Sequence, residues 1–305
     1  MTRIATRLWH TLFVLLGLTV VTFGLLNLAG DPAAVLASPD ATPEEIDEFR
    51  REQGFDRPLV EQYLSWLWRA VQGDLGYSYR HGGPALQVVL ESLPATVVLV
   101  LSSLLVALLI AVPIGILAAL RRGSRLDRFV ISLSVFTQSL PTFLLGIVMI
   151  LVFAVTLRWL PSSGGGDVRY LVMPAIALAA HQIGTYARIL RSSMVDVLDS
   201  EFVRTARAKG LSEWAVVVVH ALKNASLPFI TVVGLQVGEL FGGTVIVETV
   251  FSYPGVNRQA VQSIMGQDMP VVLAYILVVG VLVSLTNLLV EALYGVLDAR
   301  TKERA

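Results

Sequence analysis

A chain of 305 residues with 55% hydrophobic and 15% charged side chains and a mean hydropathy of +0.70 lies far from soluble domains, in which about 25% of residues are charged. It reads as an all-α integral membrane protein. The 23 Lys and Arg balance the 23 Asp and Glu, which excludes the basic surface that a nucleic-acid partner requires. The absence of cysteine excludes disulfides, thiolate metal sites and cysteine nucleophiles.

Apolar runs near the roughly 20 residues needed to cross a bilayer fall at 9–29, 94–120, 129–157, 171–193, 228–250 and 271–297, which predicts six transmembrane helices. The tripeptide from Val35 to Ala37 resembles a leader cleavage site. The first run, however, extends from Leu12 to Ala29, too long for an ordinary leader core, so it reads as an uncleaved span. The segment after it is itself structured: Thr42 as N-cap, Pro43 in the first turn, Glu45 closing a capping box and Gly54 as a stop predict a short helix. A second helix follows Arg57 and Pro58 and ends at Gly73, with Val60, Tyr63, Leu64, Leu67 and Val71 on one stripe and Trp66 and Trp68 beside it. It suits a helix lying along the membrane interface, with packing onto the span tops or direct solute contact as the readings of its apolar stripe. The chain then divides into 1–93, a membrane helix plus this helical segment, 94–298, a core of five membrane helices, and 299–305, a tail.

Lys and Arg set the orientation, because positively charged short loops stay in the cytoplasm. One set of connections holds 15 of the 23, at Arg3 and Arg7, Arg121 to Arg128, Arg188 to Lys223 and Arg300 to Arg304; both termini are therefore expected in the cytoplasm. The other set holds 8, and its long segment from Asp31 to Ser92 has five arginines against eleven acids, which places it outside.

No catalytic motif is present. The three lysines precede Gly210, Asn224 and Glu303, so there is no phosphate-binding G-x-x-x-x-G-K-[ST] loop. His10, His81, His181 and His220 form no H-E-x-x-H pair, and neither G-x-S-x-G nor a T-V-G-Y-G filter occurs. Catalysis and cofactors are expected elsewhere, with none in this chain.

The connection Glu201 to Pro228, EFVRTARAKGLSEWAVVVVHALKNASLP, is long and basic. Ser200 caps a helix through about Lys209, Gly210 breaks it, and Ser212 caps a second helix toward Asn224 before Pro228 opens the fifth span. Helix connections commonly need about 2–8 residues, so the length points to a docking element or to a basic patch on anionic lipid. Within the fifth span Glu239 lies one turn from Gln236, beside a row of small residues, Gly234, Gly238 and Gly242. An acid there costs about 2.5–3.5 kcal/mol on insertion scales, so Glu239 lines a translocation path or is buried against a neighbour. Glu248, near the outer end, is either a gate residue or exposed at the interface, and Pro113 and Pro141 are candidate kinks.

The stretch RTARAKGLSEWAVVVVHALKNASLP resembles the cytoplasmic signature loop of ABC importer permeases of the dipeptide/oligopeptide/nickel group. It is joined in order by GDPAAVLA (30–37), GFDRPLVEQYLSWL (54–67), GDLGYS (73–78), VETVFSYPGV (247–256) and LYGVLDAR (293–300). The resemblance spans essentially the whole chain and is closest to the B-type subunits of peptide and glutathione importers. It implies the type I importer transmembrane fold with an extracytoplasmic helical segment, in a bacterial inner membrane. It also implies a heterodimer with a homologous second permease and an extracytoplasmic substrate-binding protein. Two cytoplasmic ABC ATPase subunits would hold ATP and Mg and receive a coupling loop at about 194–227. The general signature E-A-A-x-x-x-G falls on Arg204, Thr205, Ala206 and Gly210, with Arg for Glu and Thr for the first Ala. Arg204, Thr205, Ala206, Arg207, Ala208, Lys209 and Gly210 are thereby expected to contact the ATPase, while Gln236, Glu239 and Glu248 are solute-path candidates from their place in the fifth span, and the family likeness usually has no acid at the position of Glu239. An ion-coupled secondary transporter using Glu239, and a nickel-complex permease of the same group, are the alternative readings.

Overall fold

The computed structural model describes residues 2–29, 33, 41–52, 54–78 and 80–297. The leader-like site at Val35 to Ala37 and the tail 299–305 lie outside these residues. Helix dominates, and the chain forms two compact units, residues 1–96 with 254–285 and residues 97–253 with 286–305.

The first unit contains α1 (Thr2–Ala29), α2 (Pro43–Glu52), α3 (Leu59–Val71), a two-stranded hairpin of β1 (Tyr77–Ser78) and β2 (Gly83–Pro84), and the start of α4 (Ala85–Leu120). It is completed by α10 (Val256–Met265) and the first part of α11 (Met269–Leu297). The capping box at α2 forms: Glu45 N donates to Thr42 Oγ1 at 3.3 Å and Thr42 N to Glu45 Oε2 at 2.7 Å. Gly54 at φ +72° ends that turn. The apolar stripe expected on α3 divides in two. Tyr63, Trp66 and Leu67 face a core shared with Phe23, Leu75, Val89 and Leu273, and Tyr63 also bonds Thr19 Oγ1 at 3.0 Å. Val60, Leu64, Trp68 and Val71 remain exposed on the other face. The hairpin is fastened to the α10–α11 turn, where Ser78 Oγ donates to Asp268 Oδ2 at 2.5 Å and His81 Nδ1 lies 3.3 Å from the same oxygen.

The second unit is built around α7 (Val168–Leu198), which is packed by the rest of α4, by α5 (Arg125–Ser139) and α6 (Thr142–Met149), and by α9 (Leu222–Val250). Asp167 caps α7, and the Arg169 guanidinium hydrogen-bonded to it holds its carboxyl below the usual carboxylate range. Small residues let backbones meet here. A Cβ on Gly115 of α4 would sit 2.9 Å from the Ala187 carbonyl, and one on Gly184 of α7 would collide with Thr137 and lie 2.7 Å from the Ser134 Cα. Ala175, Ala177, Ala179 and Ala187 are buried along the same helix.

Among the described residues, three helices are long and apolar enough to cross a membrane, Ala85–Leu120, Ala215–Val250 and Met269–Val290. The expected span 129–157 is broken instead: α5 and α6 meet at 97°. Pro141 lacks an amide hydrogen and pushes Leu140 to φ −85°, ψ 121°, out of the helical region, and α6 then runs into a π-helical turn, Ile150–Thr156. The run 171–193 lies in α7, where Ala175, Ala177, Ala179 and Ala187 are buried with Gln182 and Thr185, and α1 carries a shorter apolar stretch, Leu12–Leu25.

One ion pair ties α5 to α7. Arg191 Nε and Nη2 each lie 2.8 Å from an oxygen of Asp127, whose side chain is 4% exposed and also accepts from Gly123 N. Nearby, Arg122 reaches Asp199 at 3.0 Å, at the surface. Removing one partner of a buried pair strands the other charge, whereas removing both does not. Asp127→Asn is therefore expected to destabilise the chain by about 3 kcal/mol, read as a lower melting temperature in detergent, and Asp127→Asn with Arg191→Met is expected to recover much of the loss. A single variant as stable as the parent would overturn this account.

Candidate functional site: the α7–α9 connection and the polar side of α9

The connection begins with α8 (Glu201–Ala208). Ser200 sits at the N-cap with extended backbone, yet its hydroxyl donates back to the Val197 carbonyl and makes no cap bond. Along α8 the period of three buries Val203 and Ala206 against Val216, while Arg204, Thr205, Arg207, Ala208, Lys209 and Gly210 are exposed. Of the seven residues expected to contact a partner, Ala206 thus packs inward and the other six are presented outward. Phe202, Leu211 and Trp214 are exposed in the same stretch.

Gly210 adopts φ +79° with nothing within 4 Å of where a Cβ would be. Its constraint is therefore backbone strain and not space. Two of the expected cationic contacts already have partners in the chain. Arg204 pairs with Glu201 at 3.0 Å, and Arg207 grips Glu213 through two bonds, 2.8 and 3.3 Å, closing the turn around Gly210. Lys209 makes no ion pair with a described residue. The Arg207–Glu213 clamp is not among the residues expected from the sequence; its signal there is an acid three positions past the breaking glycine.

Beyond the turn, Ser212 Oγ accepts from Ala215 N at 3.4 Å. The helix then runs through a π-helical stretch, Ala215–Ala221, directly into α9. Pro228 lies inside α9 rather than opening a new span: residues 215–250 form one continuous helix. The connection is thus a short helix, a glycine turn and the N-terminal extension of a long apolar helix.

On α9, Gln236 and Glu239 sit one turn apart. Glu239 is exposed and is an electrostatic neighbour of the Tyr186 hydroxyl. Gln236 Oε1 is buried without a partner, as are Gln182 Oε1 and Tyr186 OH on α7 and Ser134 Oγ on α5, while Gln138 Nε2 donates to Thr185 Oγ1 at 3.2 Å. Such unsatisfied groups are few in natural folds and need an explanation. Glu248 does not join them. It lies nine residues further along, about 13 Å at helical rise, and is fully buried near the end of α9, so surface exposure is not its setting. Of the small-residue row, Gly234 is buried, whereas a Cβ on Gly242 would meet nothing within 4 Å and one on the neighbouring Gly243 would sit 3.2 Å from Leu178 Cδ1.

Residues 111–303 match the family described as binding-protein-dependent transport system inner membrane component, and residues 1–100 match the N-terminal membrane component of such systems. A putative peptide transport system permease of Brucella abortus (strain 2308) is 39% identical over 98% of each chain. The oligopeptide permease AppB of Bacillus subtilis is 36% identical over 94% of this chain and 95% of its own. The dipeptide permease DppB of Escherichia coli K12 is 34% identical over 99% and 98%. Among solved structures, the inward-facing MetNI methionine ABC transporter aligns with TM-score 0.60 at 18% identity, over 69% of this chain and 96% of that one, a likeness of fold alone. With both parts of the family pattern present in order and no phosphate loop of its own, the chain belongs to the inner-membrane components of binding-protein-dependent transport systems, as the permease subunit of an ABC importer.

Proposed function

We propose that this permease carries peptides or peptide-like solutes, forming half of a pathway with a homologous second permease and receiving solute from an extracytoplasmic binding protein. The full-length similarity to permeases named for peptide, oligopeptide and dipeptide transport supports this class. Six membrane crossings, with the broken α5–α6 pair as one of them, put both termini and the α7–α9 connection in the cytoplasm, and put residues 41–84 outside. In that topology the exposed row Val60, Leu64, Trp68 and Val71 meets the membrane interface. Reporters fused after Arg125 and after Lys209 are expected to be cytoplasmic and one after Asp74 external; the inverted pattern would refute the orientation.

The observation that carries the coupling role is the turn at Gly210. Arg204, Thr205, Arg207, Ala208, Lys209 and Gly210 stand outward on a short helix clamped to an extended span, a form suited to seating in a groove of an ATPase subunit, with Ala206 supporting it from within. ATP binding would close two such subunits, move the coupling helices as rigid bodies and rock the attached spans between outward and inward openings. ATP and Mg belong to those partners. Gly210→Val forces a β-branched residue into left-handed backbone at a cost of about 1–2 kcal/mol, relieved by opening the turn. The spans are expected to insert and pair as before, while uptake and binding-protein-stimulated ATP hydrolysis fall together by at least about tenfold. Wild-type uptake by this variant would sink the coupling assignment.

Half-buried Gln236 and exposed Glu239 supply polar groups for a peptide backbone, with Glu248 as a separate, buried element near the outer end of α9. Glu239→Gln keeps the shape and removes the charge. It is expected to shift KM or the maximal rate of uptake by about threefold or more without altering the yield of assembled complex. Unchanged uptake kinetics for every transported solute would remove Glu239 from the path.

A further inference from the structure

The first unit contains a cavity of about 390 Å³ between the end of α2, one face of α3, the β1 strand and the start of α11. It owes nothing to the α9 residues assigned to the solute path. Its base is aromatic, formed by Phe23 and Trp66, and its wall carries charges of both signs, Glu52 and Glu61 with Arg57 and Arg69.

Two features mark it as built for a ligand. Trp66 is 5% exposed, and its Nε1–H is buried with no acceptor among the described residues; a tryptophan donor usually finds a partner when buried. The charges, in turn, do not neutralise one another. Glu52, Arg57 and Glu61 make no ion pair with any described residue, and Arg69 has only a 4.0 Å approach to Asp74. Opposite charges that share one wall and stay apart leave a cation site and an anion site both open. The volume is within the range of about 300–1,000 Å³ typical of small-molecule sites.

We propose that this cavity binds a small zwitterion of amino-acid or dipeptide size. Its carboxylate pairs with Arg57 or Arg69, its ammonium with Glu61 or Glu52, and a carbonyl or carboxylate oxygen accepts from Trp66 Nε1, while an apolar side chain lies on Phe23. An arginine fork suits a carboxylate through two parallel bonds. The assignment rests on the proposed orientation for one point, that the cavity opens toward arriving solute. It would hold solute at the outer face before or after release from the binding protein, and so act as a waiting site distinct from the path.

The test uses the full chain in phosphatidylglycerol nanodiscs, without ATPase or binding protein, and radiolabelled L-alanyl-L-phenylalanine as the probe. Saturable binding of one dipeptide per chain is expected. The N-acetyl and the C-terminal amide forms, each lacking one charge, are expected to bind at least about tenfold more weakly, as are Arg57→Gln and Glu61→Gln. Both of these side chains are exposed, so the variants are expected to fold, and gel-filtration elution checks that they do. Trp66→Phe keeps the ring and loses the donor, for an expected loss of about threefold or more. Absence of saturable binding up to about 10 mM, equal binding of the capped peptides, or unchanged affinity in the variants would overturn the proposal. So would loss of binding when phosphatidylethanolamine is added, because the site would then belong to a lipid headgroup. Because binding is read without the transport machinery, failure here with normal uptake in the complete transporter would leave the proposed function standing.

Discussion

The second unit depends on close backbone approach along α7. Gly184 against Ser134 and Thr137, and Gly115 against Ala187, let three helices meet with almost no side chain between them. In lipid there is little hydrophobic gain from bringing helices together, so association rests on dispersion and hydrogen bonds, both of which need short distances. A helix that spends its surface on alanine and glycine has little apolar surface left for lipid. α7 is accordingly central in the unit, and it is not among the helices apolar enough to cross a membrane on composition. The Asp127–Arg191 pair lies at the end of this packed seam and fixes its register, because a bidentate guanidinium–carboxylate contact tolerates little sliding.

That seam determines how α8 is held. α7 ends at Leu198, and α8 starts at Glu201 with Val203 and Ala206 seated on Val216. From Ala215 the chain is helical without interruption to Val250, so a push on α8 reaches α9 through a rigid rod and not through a flexible loop. The Arg207–Glu213 clamp is exposed and worth at most about 1 kcal/mol. Its contribution is geometric: it keeps the Gly210 turn closed in the absence of a partner. The π-helical stretch at Ala215–Ala221 stands where extension and span meet, a type of irregularity found often at functional sites.

Features that depend on a few adjacent residues were legible in the sequence. The Thr42–Glu45 capping box, the stops at Gly54 and Gly73, and the left-handed turn at Gly210 each follow from local backbone chemistry. Family membership was legible too, because its motifs are contiguous strings. Features that depend on distant partners were not. Asp127 and Arg191 are 64 positions apart, and nothing local separates them from the other charges that set orientation. The same limit applies to Trp66 and Trp68, two neighbours of one composition, of which one is buried at a cavity and the other left exposed. Pro141 and Pro228 make the point with a single residue type. The first stands at a 97° break, while the second is carried inside a continuous helix.

The unpartnered oxygens complete the physical picture. A membrane protein that only needed to be stable would have satisfied Gln182, Tyr186 and Gln236 within its own helices or replaced them by leucine, since a buried polar group without a partner costs about 1–3 kcal/mol. Their retention on α7 and α9 leaves polar groups inside the packed seam, where Tyr186 is fully buried and Gln182 nearly so. Exposed Glu239 on the same side of α9 adds a charge that lipid would penalise and that water or a second permease would accept. In the proposed pathway shared with a second permease, Glu239 is the charge that would face the missing half and the moving solute, so its cost in the isolated chain would follow from that role and not from poor packing.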